Sequence, residues 1–75
     1  MSHPKVRWDR EVNAAYIAFR ELEAGESSYK LPIEDDRGDT TMLVRLAESG
    51  ELLGIELLEA DTQMPRLLRG NPDNG

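Results

Sequence analysis

Thr40-Thr41-Met42-Leu43-Val44-Arg45-Leu46-Ala47-Glu48-Ser49-Gly50-Glu51-Leu52-Leu53-Gly54-Ile55-Glu56-Leu57-Leu58 is the stretch from which the fold is read. In its first half Met42, Val44 and Leu46 alternate with Thr41, Leu43 and Arg45. In its second half Leu53, Ile55 and Leu57 alternate with Leu52, Gly54, Glu56 and Leu58. A period of two is the mark of a strand that buries one face. Glu48-Ser49-Gly50 between the halves suits a tight turn, with Gly50 supplying a positive φ. The reading is a β-hairpin with strands at 40–47 and 51–58. A glycine weakens a strand unless something needs its space. Gly54 therefore marks either a bulge or the close approach of an aromatic ring, Trp8 or Tyr16.

Working outward, Lys5-Val6-Arg7-Trp8-Asp9 puts Val6 and Trp8 on one face and Lys5, Arg7 and Asp9 on the other, a half-buried strand. Arg10-Glu11-Val12-Asn13 reads as a short hairpin loop, because Asp9 can accept backbone hydrogen bonds and Asn13 tolerates a left-handed conformation. Residues 14–21 combine aromatic and β-branched side chains with three alanines; the strand reading is preferred over helix. Leu22 to Ser28 holds Gly25 and forms a turn. Tyr29, Leu31 and Ile33 alternate with Lys30, Pro32 and Glu34, and Pro32 confines this strand to a sheet edge. Residues 34–39 form a charged loop. Pro65-Arg66-Leu67-Leu68-Arg69 reads as a short helix capped by Asp61 or Thr62 and stopped by Gly70.

These elements define an α+β fold: a small antiparallel β-sheet of four to five strands, meander-like, with one short C-terminal helix. Residues 1–70 form a single domain, and 71–75 a flexible tail. The expected core is Val6, Trp8, Ile17, Phe19, Met42, Val44, Leu46, Leu53, Ile55 and Leu57.

The chain has 75 residues. Below roughly 70–80 residues a single core seldom supplies more than about 3–5 kcal/mol, and small domains lean on disulfides, metals or a second subunit. There is no Cys, and the single His, His3, offers a poor start to a zinc site. A homodimer is the expected support, formed through Tyr16, Leu43, Leu52 and Leu58 on the sheet face opposite the core, or through an edge of the sheet near Pro32; a monomer would need residues 22–39 to fold over that face. The 15 Asp and Glu against 9 Lys and Arg give a net charge of −6. That disfavours direct nucleic-acid binding and leaves room for a basic protein partner. No apolar run resembles a signal peptide or reaches the ~20 residues that cross a bilayer. The expectation is a cytoplasmic protein without membrane association.

No catalytic, cofactor-binding or metal-ligating residue is assigned. Glu34, Asp35, Asp36 and Asp39 could offer oxygens to a hard cation, but they lack the alternation of a calcium loop and read as a solvated turn. Asp9 and Glu11 could form an acid–base pair, yet Asp9 serves better as a turn acceptor. His3 has no nearby nucleophile or orienting acid in the sequence, and Ser27 and Ser28 have no supporting base. Arg37-Gly38-Asp39 matches an adhesion tripeptide that arises easily by chance.

Two stretches resemble the YuzE-like family of small bacterial proteins of unknown function. Residues 6–17, Val-Arg-Trp-Asp-Arg-Glu-Val-Asn-Ala-Ala-Tyr-Ile, are similar to its opening motif, aromatic-Asp-Pro-Glu-x-Asp-Ala-x-Tyr-Ile. Residues 48–60, Glu-Ser-Gly-Glu-Leu-Leu-Gly-Ile-Glu-Leu-Leu-Glu-Ala, are similar to its closing motif. Arg10 replaces the usual Pro and Asn13 the usual Asp, so a carboxylate becomes an amide and a metal site there is weakened. The resemblance implies a small α+β fold on an antiparallel sheet and brings no activity. The functional expectation is a non-enzymatic module that binds another protein chain, in an antitoxin-like role where the partner is basic. The alternative is an enzyme or small-ligand binder whose site lies between the subunits of a homodimer.

Overall fold

A computed structural model describes residues 4–69. His3, the expected stop at Gly70 and the tail at 71–75 lie outside the described residues. Five strands follow in chain order: β1 (Lys5–Asp9), β2 (Ala14–Ala18), β3 (Ser28–Glu34), β4 (Thr40–Ala47) and β5 (Leu52–Leu57). Helix α1 (Ala60–Gln63) and a 3-10 turn (Arg66–Leu68) come last. All neighbouring strands are antiparallel, in the order β1-β2-β5-β4-β3. The β3-β4-β5 portion is a meander, and the β1–β2 hairpin docks its second strand on the free side of β5. Pro32 sits in an edge strand, as its missing N–H requires.

The turns use the residues that the sequence offers. Asp9 Oδ1 accepts from the Glu11 N–H at 3.1 Å, and Asn13 has φ 56°. Gly50 has φ 99°, and Ala47 N–H to Glu51 O closes the β4–β5 loop at 2.8 Å.

One face of the sheet carries the core. Val6 and Trp8 of β1, Ala15 and Ile17 of β2, and Leu57 and Ile55 of β5 stand in register across it. Ala60 and Met64 close over this half, with Leu68 packed against them. Asn13 anchors that cover. Its Oδ1 accepts from Asp61 N–H at 2.8 Å, its Nδ2 donates to Asp61 Oδ1 at 2.9 Å, and its carbonyl accepts from Ala60 N–H at 3.0 Å. Of the seven buried apolar residues described, three are alanines, so the core is thin.

The structure corrects two details. β2 ends at Ala18, because the N–H groups of Phe19 and Arg20 both turn toward the Leu53 carbonyl; Phe19 leaves the core and is 48% exposed. The helix expected at 65–69 is replaced by α1 and the 3-10 turn. Asp61 and Thr62 lie inside α1 rather than capping it, and Pro65, with φ −61° and ψ 147°, is extended. Residues 28–34 form β3 at the sheet edge, as the alternation of Tyr29, Leu31 and Ile33 and the position of Pro32 require. Leu52 and Leu58 are exposed, and a further uncovered apolar strip lies on the core face, at Tyr29, Leu31 and Ile33 of β3.

Candidate functional site

The register arranges the second face in two rows. Lys5, Ala18, Gly54, Arg45 and Lys30 form one, and Arg7, Tyr16, Glu56, Leu43 and Pro32 the other. The first row has cations at its ends and its two smallest residues in the middle. Strands lie about 4.8 Å apart, so Lys5 and Arg45 start roughly 14 Å apart with only Ala18 and Gly54 between them. Tyr16 fills the Gly54 part of that gap, and the open trough runs over Ala18 among Lys5, Arg7, Tyr16 and Arg45. A Cβ on Gly54 would collide with the Tyr16 phenol ring and with the Ile17 carbonyl oxygen. The ring approach expected for Gly54 is therefore made by Tyr16. A bulge lies beside it as well, where β5 advances from Gly54 to Leu52 while β4 advances from Arg45 to Leu46.

Arg45 stands on the far wall. Its guanidinium carbon is 5.8 Å from the Tyr16 ring centre, and Nη2 donates to Ser28 Oγ at 3.1 Å. Its Nε is buried without a hydrogen-bond partner. Lys30 is neutralised by Glu56 at 3.1 Å. Arg20 is held by three carboxylate contacts: both Glu26 oxygens, at 2.8 and 2.6 Å, and Glu51 at 2.9 Å. The Arg20 hydrogen bonds, helped by the Glu23 N–H, hold the Glu26 carboxyl down at about 2, and Arg20 in turn is held above its ordinary range. Among the described residues Lys5, Arg7 and Arg45 have no carboxylate partner.

Two grooves flank Tyr16, and Arg7 and Arg45 line both. One, of about 770 Å³, runs toward the β1–β2 turn past Asp9, Arg10 and Glu11. The other, of about 900 Å³, runs toward Lys5, Arg20, Glu21 and Leu22. Arg10 caps the Trp8 ring at 3.9 Å from its centre.

The residues weighed in the sequence are dispersed. Asp9 is spent on its turn. Asp35 Oδ1 accepts from the N–H groups of Arg37 and Asp39, at 2.8 and 3.0 Å, which explains the acidic loop as turn chemistry. Among the described residues no group of three or more His, Asp or Glu side chains is placed to hold a metal ion. Ser28 serves Arg45, and the Ser27 carbonyl accepts from Glu48 N–H at 3.0 Å. The grooves were overlooked in the sequence although a signal was present: Lys5, Arg7, Lys30 and Arg45 all fall at the off-core positions of their strands.

The fold and this face define a class: a small one-sheet α+β protein with a thin helical cover on one side and an open charged trough on the other. Within that class the chain belongs to the DUF2283 family of proteins of unknown function, whose profile matches residues 5–60. No curated protein and no solved structure matches the chain.

Proposed function

We propose that this protein is a non-enzymatic interaction module, a YuzE-like member of its family, that binds another protein chain through the core face of β3 and β4. The carrying observation is the strip Tyr29, Leu31 and Ile33, which stays 44%, 48% and 42% exposed although it continues the core rows of Met42 and Val44. An apolar patch of this kind marks an interface more often than a bare surface. The thin core adds a reason, since a second subunit supplies burial that the single chain lacks. The first occupant is a second copy related by a two-fold axis, the commonest way to cover such a patch. Acidic residues 34–36 and 39 border the strip, and the net charge of −6 favours a basic chain as the partner in an antitoxin-like complex.

Light scattering coupled to size exclusion tests this at tens of micromolar protein. The expected mass is about twice the 8.5 kDa of the chain, reverting to one chain in Leu31→Glu, because a carboxylate buried in an apolar contact costs several kcal/mol. A wild-type monomer that also fails to retain any basic protein in capture from its native host would defeat the reading.

A further inference from the structure

We propose that the trough between Lys5 and Arg45 is a binding site for a small organic anion, a phosphate monoester or a carboxylate carried on a ring-sized apolar body. In a chain of net charge −6, this groove of about 900 Å³ is lined by the four cations Lys5, Arg7, Arg20 and Arg45 against the single carboxylate of Glu21. Arg20 is already saturated by Glu26 and Glu51, so it serves as a wall. Lys5, Arg7 and Arg45 remain without a carboxylate within ion-pair distance among the described residues. Acidic residues elsewhere on the chain are plentiful, yet the fold directs none of them to these three. Arg45 adds a second observation. Its Nε is shut off from water with no partner, and its Nη1 makes no hydrogen bond among the described residues. Nη1 is thus the open position of this guanidinium, and an oxyanion there would add a charge-assisted hydrogen bond.

The size and shape suit a small molecule. A groove of this volume accommodates a drug-sized ligand, and small-molecule sites combine apolar walls with a few convergent polar groups. Here the apolar walls are Tyr16, Ala18 and Leu22. The trough has room because Ala18 is small, and Tyr16, seated over Gly54, supplies a flat surface against which a ring can stack. Arginine at the inner wall stays charged at any working pH, and its guanidinium suits carboxylate and phosphate oxygens alike. The site lies on the sheet face opposite the proposed protein contact, so the two can be broken separately.

The test is an NMR titration of the full chain, following backbone amides, with phenyl phosphate in one arm and benzoate in the other, each against matched sodium chloride. Saturable shifts centred on Arg7, Tyr16, Ala18 and Arg45 are expected in at least one arm, and the arm that saturates identifies the anion. Arg7→Gln and Arg45→Gln should each weaken binding by about tenfold or more, as loss of a charge-assisted contact does, and Glu21→Gln should tighten it. Arg7 is exposed, so its variant keeps the test valid if Arg45→Gln fails to fold. The proposal falls if the shifts rise linearly and match sodium chloride, if they centre on Lys30, or if they survive in Arg7→Gln. Leu31→Glu should bind the probe as the wild type does, which separates this site from the protein interface.

Discussion

The two ends of one sheet have opposite fates. On β2, the strand beside the cover, residues 14–18 alternate between half-buried and buried; on β3, at the other end, every residue after Ser28 is exposed. Yet Tyr29-Lys30-Leu31-Pro32-Ile33 alternates apolar and polar residues as cleanly as Val6 and Trp8 do among their neighbours. Alternation states which way side chains point. Whether anything covers them depends on where the chain goes next, and here residues 60–68 return over β1, β2, β5 and the Met42 end of β4 and stop short of β3. The lesson is that an apolar row on a small sheet is a request for cover, met from within at one end and unmet at the other.

The sharpest way to break that contrast is truncation at matched positions. Leu57, 4% exposed beneath the cover, should cost about 2–5 kcal/mol on replacement by Ala. Leu31→Ala should cost about 0.5 kcal/mol or less at concentrations where the chain is monomeric. Urea unfolding of both variants checks the pair, and equal losses would show that the β3 strip is buried in the unit that unfolds.

The cover itself can be loosened without touching the core. Asn13→Asp removes the Nδ2 donor and sets a second carboxylate against Asp61, in place of a 2.9 Å hydrogen bond. The expected loss is about 1 kcal/mol at neutral pH. Two carboxylates at that separation favour a shared proton, so the loss should shrink as the pH falls toward the ordinary carboxylate range. Thermal melts at pH 7 and near pH 4 measure the difference. Trp8 fluorescence should report the disturbance while β3 amides stay unshifted.

The smallest effect concerns the segment that joins the two ends, residues 19–27. Glu26 is held from 4.5 down to about 2 by Arg20. A depressed carboxyl contributes stability that is full above pH 4.5 and disappears as the pH falls toward 2. Glu26→Gln should abolish that slope in acid unfolding while leaving the neutral-pH fold intact. The pair is partly exposed, so the slope should be shallow and should flatten further in high salt.

Much of this fold was legible in the sequence for local reasons. Gly50, Asn13 and Asp9 carry their turn geometry in their own chemistry, and Pro32 restricts its strand to an edge whatever else the chain does. The pairing of β2 with β5 was not legible, because strand partners distant in sequence are chosen by fit and not by any local signal. The error at Phe19 has the same origin: the residue continues the apolar period of β2, but Leu53 O captures its N–H and the backbone turns away. The C-terminal helix was misplaced because Pro65 looks like a first-turn residue, while Asn13, far back in the chain, fixes the start of α1 at Ala60. The trough needed both kinds of information. Alternation puts its cations on one face, and only the register brings Lys5, Ala18, Gly54 and Arg45 into one row.

The strand order also has a consequence on the ribosome. The β1–β2 hairpin leaves the exit tunnel first, yet β5 is made only after β3 and β4, and the Asn13–Asp61 contact joins residues 48 positions apart. The early hairpin spends most of synthesis with one strand edge unsatisfied, whereas β3, β4 and β5 can zip together in sequence as they emerge. Joining β2 to β5 closes a longer loop than joining β3 to β4 or β4 to β5, and so carries the larger entropy cost. Until it completes, the edge of β2 that β5 covers presents unpaired backbone groups, the ordinary starting point for pairing with a foreign strand.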